Sequence, residues 1–443
     1  MVTVRRNAAL LIAIETLLLL IAAAPVYAQP AAAQSRYDLL LKGGHVIDPK
    51  NRIDQITDVA ISNGHIARVA ADIADSSARK VIDAKGLYVT PGLIDIHTHL
   101  YPRFVLPPDV PKKPGPVPSE GVDPDGFSFR SGVTTMVDAG STGWREFPDF
   151  RDRVINRAST RVLAFLNIVG TGMLTGREDD PAVMDAKAAA AMAKANPTII
   201  VGFKSAHYAG PGWYSVDNAV AAGNLAHLPV MVDFGLITAE RNIETLLLRK
   251  LRPGDIYTHC FSGHREEVLA NGELNPAMQG GRKRGIIFDI GYGSASFYWY
   301  VAVPAYKAGF YPDSVSTDLH KENMNAAMKS IDNVMSELMD LGSSLTDVVR
   351  MATWAPAQEI RRPQLGNLDI GSEADVAVLR LEHGNIGFLD CAGARKPGTQ
   401  RIVCDLTLRK GKVMWDRNGM AGEDWQKFPY KKGPFFKSKP APR

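Results

Sequence analysis

Between Gly92 and Asp318 the chain repeats one local pattern, a short apolar run followed by a stretch of helical periodicity. The runs are Gly92 to His99, Val133 to Asp138, Val162 to Val169, Thr198 to Lys204, Pro229 to Gly235, Asp255 to His259, Gly285 to Gly291 and Asp313 to Asp318. Helical patterns fill Pro181 to Ala195, Val216 to His227, Ala239 to Leu251 and Asn325 to Leu341. Apolar runs of this length read as buried strands. Strands that alternate with helices pair in parallel, because each helix returns the chain to the same end of the sheet. Eight such units predict a (β/α)8 TIM-like barrel, a fold of typically about 250 residues, here over residues 91–365.

The two ends have a different texture. Residues 37–90 and 366–425 alternate short apolar segments with Gly-centred turns, which predicts strands and a small composite β-sandwich domain built from both chain ends. At 443 residues, one large core plus a smaller one is the natural division. The Pro-rich stretch 107–124 reads as a surface loop, and residues 426–443 as a basic, solvated tail.

Arg5 and Arg6 precede an apolar run from Ala8 to Ala24, followed by Val26-Tyr27-Ala28. That layout predicts a secretory signal over residues 1–28, cleaved after Ala28. A retained anchor is the rival reading, opposed by Glu15 in mid-run, since an acidic residue at a bilayer centre costs roughly 2.5 to 3.5 kcal/mol. The expected address is secreted or periplasmic, with no stable membrane span once the signal is removed. A formal net charge of +4 gives no reason to expect nucleic acid as a partner. Of three cysteines, Cys391 and Cys404 could pair or stay free, and Cys260, inside an apolar strand, reads as a small buried hydrophobe.

Side chains alternate across a strand, so His97 and His99 share a face with Asp95. In parallel barrels the functional groups sit where strands end. The polar residues that close the runs are His97, His99, Lys204, Asp233, His259 and Asp318. Each alone has an ordinary structural explanation, such as a helix cap or a satisfied buried hydrogen bond. Together they offer imidazole and carboxylate to zinc or a similar divalent ion. Lys204 is no ligand as an ammonium; desolvated, it exposes an amine that adds carbon dioxide, and the resulting carbamate has two oxygens to bridge two ions. His207, Tyr208 and His320 also follow strand ends, and are candidates for either substrate contact or loop structure. Asp125, in the Pro-rich region, is a weaker candidate.

These motifs carry a resemblance. Pro91-Gly92-Leu93-Ile94-Asp95-Ile96-His97-Thr98-His99 resembles the first-strand motif of the amidohydrolase superfamily, and Gly132-Val133-Thr134-Thr135 its second-strand segment. Thr258-His259-Cys260-Phe261, Ser316-Thr317-Asp318-Leu319-His320, Ala374-Asp375-Val376-Ala377-Val378 and Lys410-Gly411-Lys412-Val413 look like its deacetylase-like, dihydroorotase-related branch. The similarity runs from Tyr37 to about Trp425. It implies two divalent metal ions, with zinc expected, bridged by carbamylated Lys204. His97, His99, Lys204 and Asp318 would hold the first, and Lys204, His259 and the fifth-strand residue the second. It further implies a metal-bridging hydroxide as nucleophile and Asp318 as the catalytic general base and acid.

Two positions depart from the family pattern. The fifth-strand ligand, commonly histidine, is Asp233, which makes the site one unit more negative and shifts the expected preference toward neutral or weakly charged acyl substrates. Tyr292 stands where many relatives would have histidine, and is either a substrate donor or a packed aromatic. The expected function is hydrolysis of an acyl amide or ester of a small molecule. A cyclic-amide hydrolase of dihydroorotase or hydantoinase type is the enzymatic alternative, and a non-catalytic binding protein on the same fold the other. Homo-oligomerisation is compatible with either.

Overall fold

The computed structural model describes residues 36–103, 119–233, 235 and 237–430. The expected leader, most of the Pro-rich stretch and the tail beyond residue 430 lie outside the described residues.

The amino-terminal segment contributes strands β1 (Leu39–Asp48), β2 (Ile53–Ser62), β3 (His65–Ala70), β4 (Val81–Asp83) and β5 (Tyr88–Pro91). The central region contributes β6 (Leu93–Thr98), β7 (Val133–Gly143), β8 (Arg161–Asn167), β9 (Ile200–Ser205), β10 (Val230–Val232), β11 (Ile256–Tyr257) and β12 (Ile287–Phe288). The carboxy-terminal segment adds β13 (Val376–Leu389), β14 (Arg395–Arg409) and β15 (Lys412–Asp416).

Both ends of the chain share one mixed sheet, ordered β15-β14-β13-β5-β1-β2-β3 with β4 on β1. The join is antiparallel pairing of β13 with β5, Val376 opposite Pro91 and Leu379 opposite Tyr88. Hydrogen bonding is therefore continuous across all eight strands, where the sequence reading expected the two facing sheets of a sandwich. Alternate residues of these strands, including Leu39, Leu41, Val59, Ile61, Val376, Val378, Leu406 and Leu408, form one buried cluster.

The second sheet runs β12-β11-β10-β9-β8-β7-β6, every pair parallel and in chain order. Its strands are buried on both faces, as parallel strands between helices must be. Residues 313–319 complete the circuit without forming a regular strand. Asp289 bridges Ser314, Thr98 bridges Leu319, and the His99 amide donates to the Leu319 carbonyl at 2.8 Å.

Among the helices between strands, Asp185 caps Ala186–Ala195, Asn275 caps Pro276–Lys283, and Ser344 with Asp347 forms a capping box on Leu345–Ala352. The helix expected over 239–251 starts at Ile243 and widens into a π turn at Leu246–Lys250, and that expected over 325–341 is Ile331–Asp340. No helix among the described residues is long and apolar enough to cross a membrane. All three cysteines are free thiols, with Cys260 and Cys404 buried.

A cavity of about 590 Å³ lies at the far end of the parallel strands, lined by Gly92, Thr134, Arg161 and Asp375 among others. Of its charged groups, Arg161 pairs with Asp375 at 2.8 Å, and Arg409 reaches the same carboxylate at 3.0 Å. It joins the two sheets.

Candidate metal centre

At the opposite end of the parallel strands His97, His99, Lys204, Asp233, His259 and Asp318 line a smaller cavity of about 170 Å³, with Glu120, His207, His320 and Glu322. The six residues read from the strand ends are thus brought together. His97 and His99 close β6, Lys204 lies in β9, Asp233 follows β10, His259 follows β11, and Asp318 is in the closing segment. His207, His259 and Asp318 have φ of 57°, 62° and 50°, a left-handed conformation uncommon outside glycine.

Each imidazole is oriented by a partner behind it. Thr258 Oγ1 donates to Asp289 Oδ2 at 2.7 Å, so at 2.8 Å from His97 Nδ1 it acts as acceptor, fixing the proton on Nδ1 and leaving Nε2 as the open donor atom. His259 Nδ1 donates to the Gly291 carbonyl, and His320 Nδ1 to the Asp318 carbonyl, each at 2.5 Å, with the same consequence. His99 Nδ1 lies 3.0 Å from Ser141 Oγ. Gly291 is required at its position: a Cβ there would stand 2.4 Å from Thr258 Oγ1 and 2.8 Å from His259 Nδ1.

The inner atoms converge. His97 Nε2 lies 2.9 Å from Lys204 Nζ and 3.3 Å from Asp318 Oδ1, and His99 Nε2 lies 2.9 Å from the same oxygen. One donor atom each from His97, His259 and Asp318 falls within a 4.8 Å cluster. Two ligands on one zinc-sized ion stand at most about 4 Å apart, twice a bond of roughly 2.1 Å, so this donor set fits a divalent cation with a small closure.

Burial dominates the titrations. It lowers Lys204, pushes His97 well down and takes His259 to about 3. Burial would raise Asp318, but His97, His99 and His259 outweigh it and hold the carboxyl well below its usual range. Burial would lower His99, yet its contact with Asp318 raises it.

Three candidates are placed elsewhere. Tyr208 is buried, donates its hydroxyl to the Pro211 carbonyl at 2.9 Å and stacks on Arg241; it is not on the cavity wall. Tyr292 takes the packed-aromatic alternative, fully buried, stacked on Phe297 at 4.6 Å and donating to the Leu389 carbonyl at 2.5 Å. Asp125 accepts from the Ser159 and Thr160 amides, a loop clamp away from the cavity. Asp95 does not face the imidazoles' cavity but accepts from Thr317.

Asp233 has a partner that sequence reasoning missed. Arg265 Nη2 donates to Asp233 Oδ1, while Oδ2 stands 3.6 Å from His259 Nε2 and 3.8 Å from His207 Nε2. Burial would raise Asp233, but Arg265, His259 and His207 hold it well below the carboxylate range. The expected surplus negative charge at this position is therefore corrected: a buried guanidinium cancels it.

The chain is 31% identical over 347 residues to a deacetylase of Agrobacterium fabrum, covering 76% of this chain and 81% of that one. The chain belongs to the amidohydrolase superfamily. A deacetylase of Enterococcus faecalis is 28% identical over 85% of this chain and 99% of its own length. A crystal structure described as an adenine deaminase superposes with TM-score 0.76 at 27% identity, covering 86% of this chain and all of that one; one described as a dihydroorotase gives 0.73 at 27% identity, covering 85% and 98%. No family model matches the chain. Within the amidohydrolase superfamily, the first-strand and strand-end motifs carried the membership. Arg265 carried no such signal: it sits in a loop with His264 and Glu266, and nothing in its spacing singles it out from other cations.

Proposed function

We propose that the protein is a metal-dependent deacetylase-like amidohydrolase that cleaves the acyl amide, or acyl ester, of a small molecule. Superfamily membership makes it a hydrolase of carbon–nitrogen bonds. The observation that carries the finer reading is the convergence of His97 in β6, His259 after β11 and Asp318 in the closing segment, with Lys204 Nζ 2.9 Å from His97 Nε2. We further read the parallel sheet as a full (β/α)8 barrel closed by residues 313–319, flanked by the mixed sheet of residues 37–90 and 366–425, and the leader as an export signal.

His97, His99, Lys204 and Asp318 would hold a first divalent ion, and carbamylated Lys204, Asp233 and His259 a second, with zinc favoured by the nitrogen and oxygen donors. Such ions supply acidified water, at a pKa of about 7, and polarise the scissile carbonyl. Asp318 would serve as the general base and acid, since its carboxylate faces the cavity and is held well below its usual range, free to hold a proton on its way to the leaving nitrogen or oxygen. Burial lowers the pKa of Lys204, which favours the free amine that carbon dioxide would need. His207, Glu120, His320 and Glu322 border the space left for substrate. A cavity of about 170 Å³ suits a short acyl group.

Cyclic-amide hydrolysis is the second reading, favoured by the dihydroorotase neighbour. A non-catalytic role is disfavoured because the ligand-type side chains are retained. The test is turnover of a panel of N-acyl amino acids, O-acyl hydroxy acids, dihydroorotate and hydantoins before and after chelation. Metal-dependent release of acetate or another acid supports the proposal; ring opening alone selects the second reading; no turnover with metal bound overturns both.

A further inference from the structure

We propose that Arg265 is a positioning residue of the metal centre: its guanidinium cancels the charge of Asp233 and pins Oδ1, so that the pair acts as a neutral donor through Oδ2. The inference rests on the metallohydrolase reading and extends it to a residue outside the ligand set.

The geometry divides the carboxylate in two. Oδ1 points away from the cavity, onto Arg265 Nη2. Oδ2 points toward His259 and His207, both on the cavity wall. The root of Asp233 is fixed as well, because its amide donates to the Ser205 carbonyl at 2.9 Å, one residue from Lys204. Oδ2 is thereby left to coordinate, on the side of the carboxylate that faces His259 and His207.

Arg265 is itself held. Its amide donates to Glu267 Oε2 at 3.2 Å and its Nη1 to Ser262 Oγ at 3.3 Å. Ser262 and Tyr257 in turn donate to Glu267 Oε1 at 2.6 and 3.0 Å, and all three residues are fully buried. A guanidinium cannot shed its proton in such a setting, so the positive charge behind Asp233 is permanent. Arg265 is not among the residues that line the cavity, whereas Asp233 is; it acts through Asp233.

The reason is charge conservation. A neutral imidazole at this position contributes nothing to the net charge of the centre, whereas a bare carboxylate subtracts one unit and would hold the ion too tightly while weakening its pull on a carbonyl. Asp233 with Arg265 restores the neutral sum with an oxygen donor. An anionic substrate is then no less welcome than in a centre with histidine.

The test is a mutant cycle on the full-length protein, read as zinc per chain by elemental analysis and as the affinity of the more weakly held ion by chelator competition. Wild type is expected to retain two ions. Replacing Asp233 with histidine alone, D233H, leaves the guanidinium uncompensated and should weaken the second ion about tenfold or more, although it introduces the ligand commoner in the superfamily. The double variant D233H/R265M should recover it. R265M should bind the second ion more tightly and R265K should stay close to wild type, since lysine preserves the charge. If R265M does not fold, R265Q takes its place in the single and double variants, removing the charge while keeping a polar side chain. An affinity that ignores the charge at position 265, or a D233H protein that binds as well as wild type, overturns the inference and leaves the hydrolase reading intact. A wild type that retains only one ion overturns the inference, and one that retains none overturns both.

Discussion

Asp95 accepts two hydrogen bonds from Thr317, at 2.5 Å from Oγ1 and 3.1 Å from the backbone amide. The contact ties the strand that carries His97 to the residue before Asp318, across the place where the sheet closes. Asp95→Ala leaves both donors of Thr317 buried without that partner, at a cost of about 1–3 kcal/mol. The expected result is a lower Tm together with weaker metal retention, measured by calorimetry and elemental analysis. A variant with reduced Tm but wild-type metal affinity would show that the tie serves stability alone.

Thr258 is the acceptor that sets the His97 tautomer. Thr258→Val keeps the shape and removes that acceptor. Loss of an outer hydrogen bond of this kind typically reduces metal affinity or activity by about 10- to 100-fold. Chelator competition on the variant should fall in that range, with a lowered melting transition beside it, because the buried His97 Nδ1–H and Asp289 Oδ2 each lose a partner.

The proposed carbamylation of Lys204 would make metal loading depend on dissolved carbon dioxide. Apoprotein reconstituted with zinc in bicarbonate-supplemented buffer should regain activity faster than in buffer purged of carbon dioxide. Equal rates in the two buffers would leave Lys204 as an amine.

The two sheets are joined through Glu373, which faces Arg161, Arg409 at 3.1 Å and Lys410 at 3.0 Å. Burial pushes its carboxyl up, but these cations outweigh it and bring it down to about 2. The folded value lies below the unfolded value of about 4.3, so the stabilisation is fully present above that pH and is lost as the pH falls from there toward about 2. Denaturation midpoints of wild type and Glu373→Gln should therefore differ at pH 6 and converge near pH 2.

His207 and Tyr292 separate substrate contact from packing. His207 keeps 46% of its side chain exposed and lines the cavity, so His207→Ala should raise KM more than it lowers kcat. Tyr292→Phe removes the bond to the Leu389 carbonyl and the contact with the buried Glu337 carboxyl, each at about 0.5–1.5 kcal/mol of stability. Its KM should equal that of wild type.

The strand-end residues were legible in the sequence because their signal is local. A side chain that interrupts an apolar run in a parallel strand is delivered to one end of the sheet whatever its neighbours do, so His97, His99, Lys204, Asp233, His259 and Asp318 could be named from position alone. Tyr208 and Tyr292 occupy equally suggestive positions, yet they turned inward, because an aromatic ring gains more from burial against Arg241 or Phe297 than from facing water. Strand lengths and the continuous mixed sheet were likewise outside the reach of pattern, since the β13–β5 pairing joins residues nearly three hundred positions apart.

By itself the sequence determined the superfamily, the alternation of strand and helix, and the chemical identity of the groups at the strand ends. Only tertiary structure decided what those groups are worth. Tautomers at His97 and His259 depend on Thr258 and the Gly291 carbonyl, and the charge at Asp233 depends on Arg265, 32 residues further along the chain. Hydrogen bonds and ion pairs act over a few ångströms in space, and no periodicity in one dimension records which distant side chain arrives within that reach.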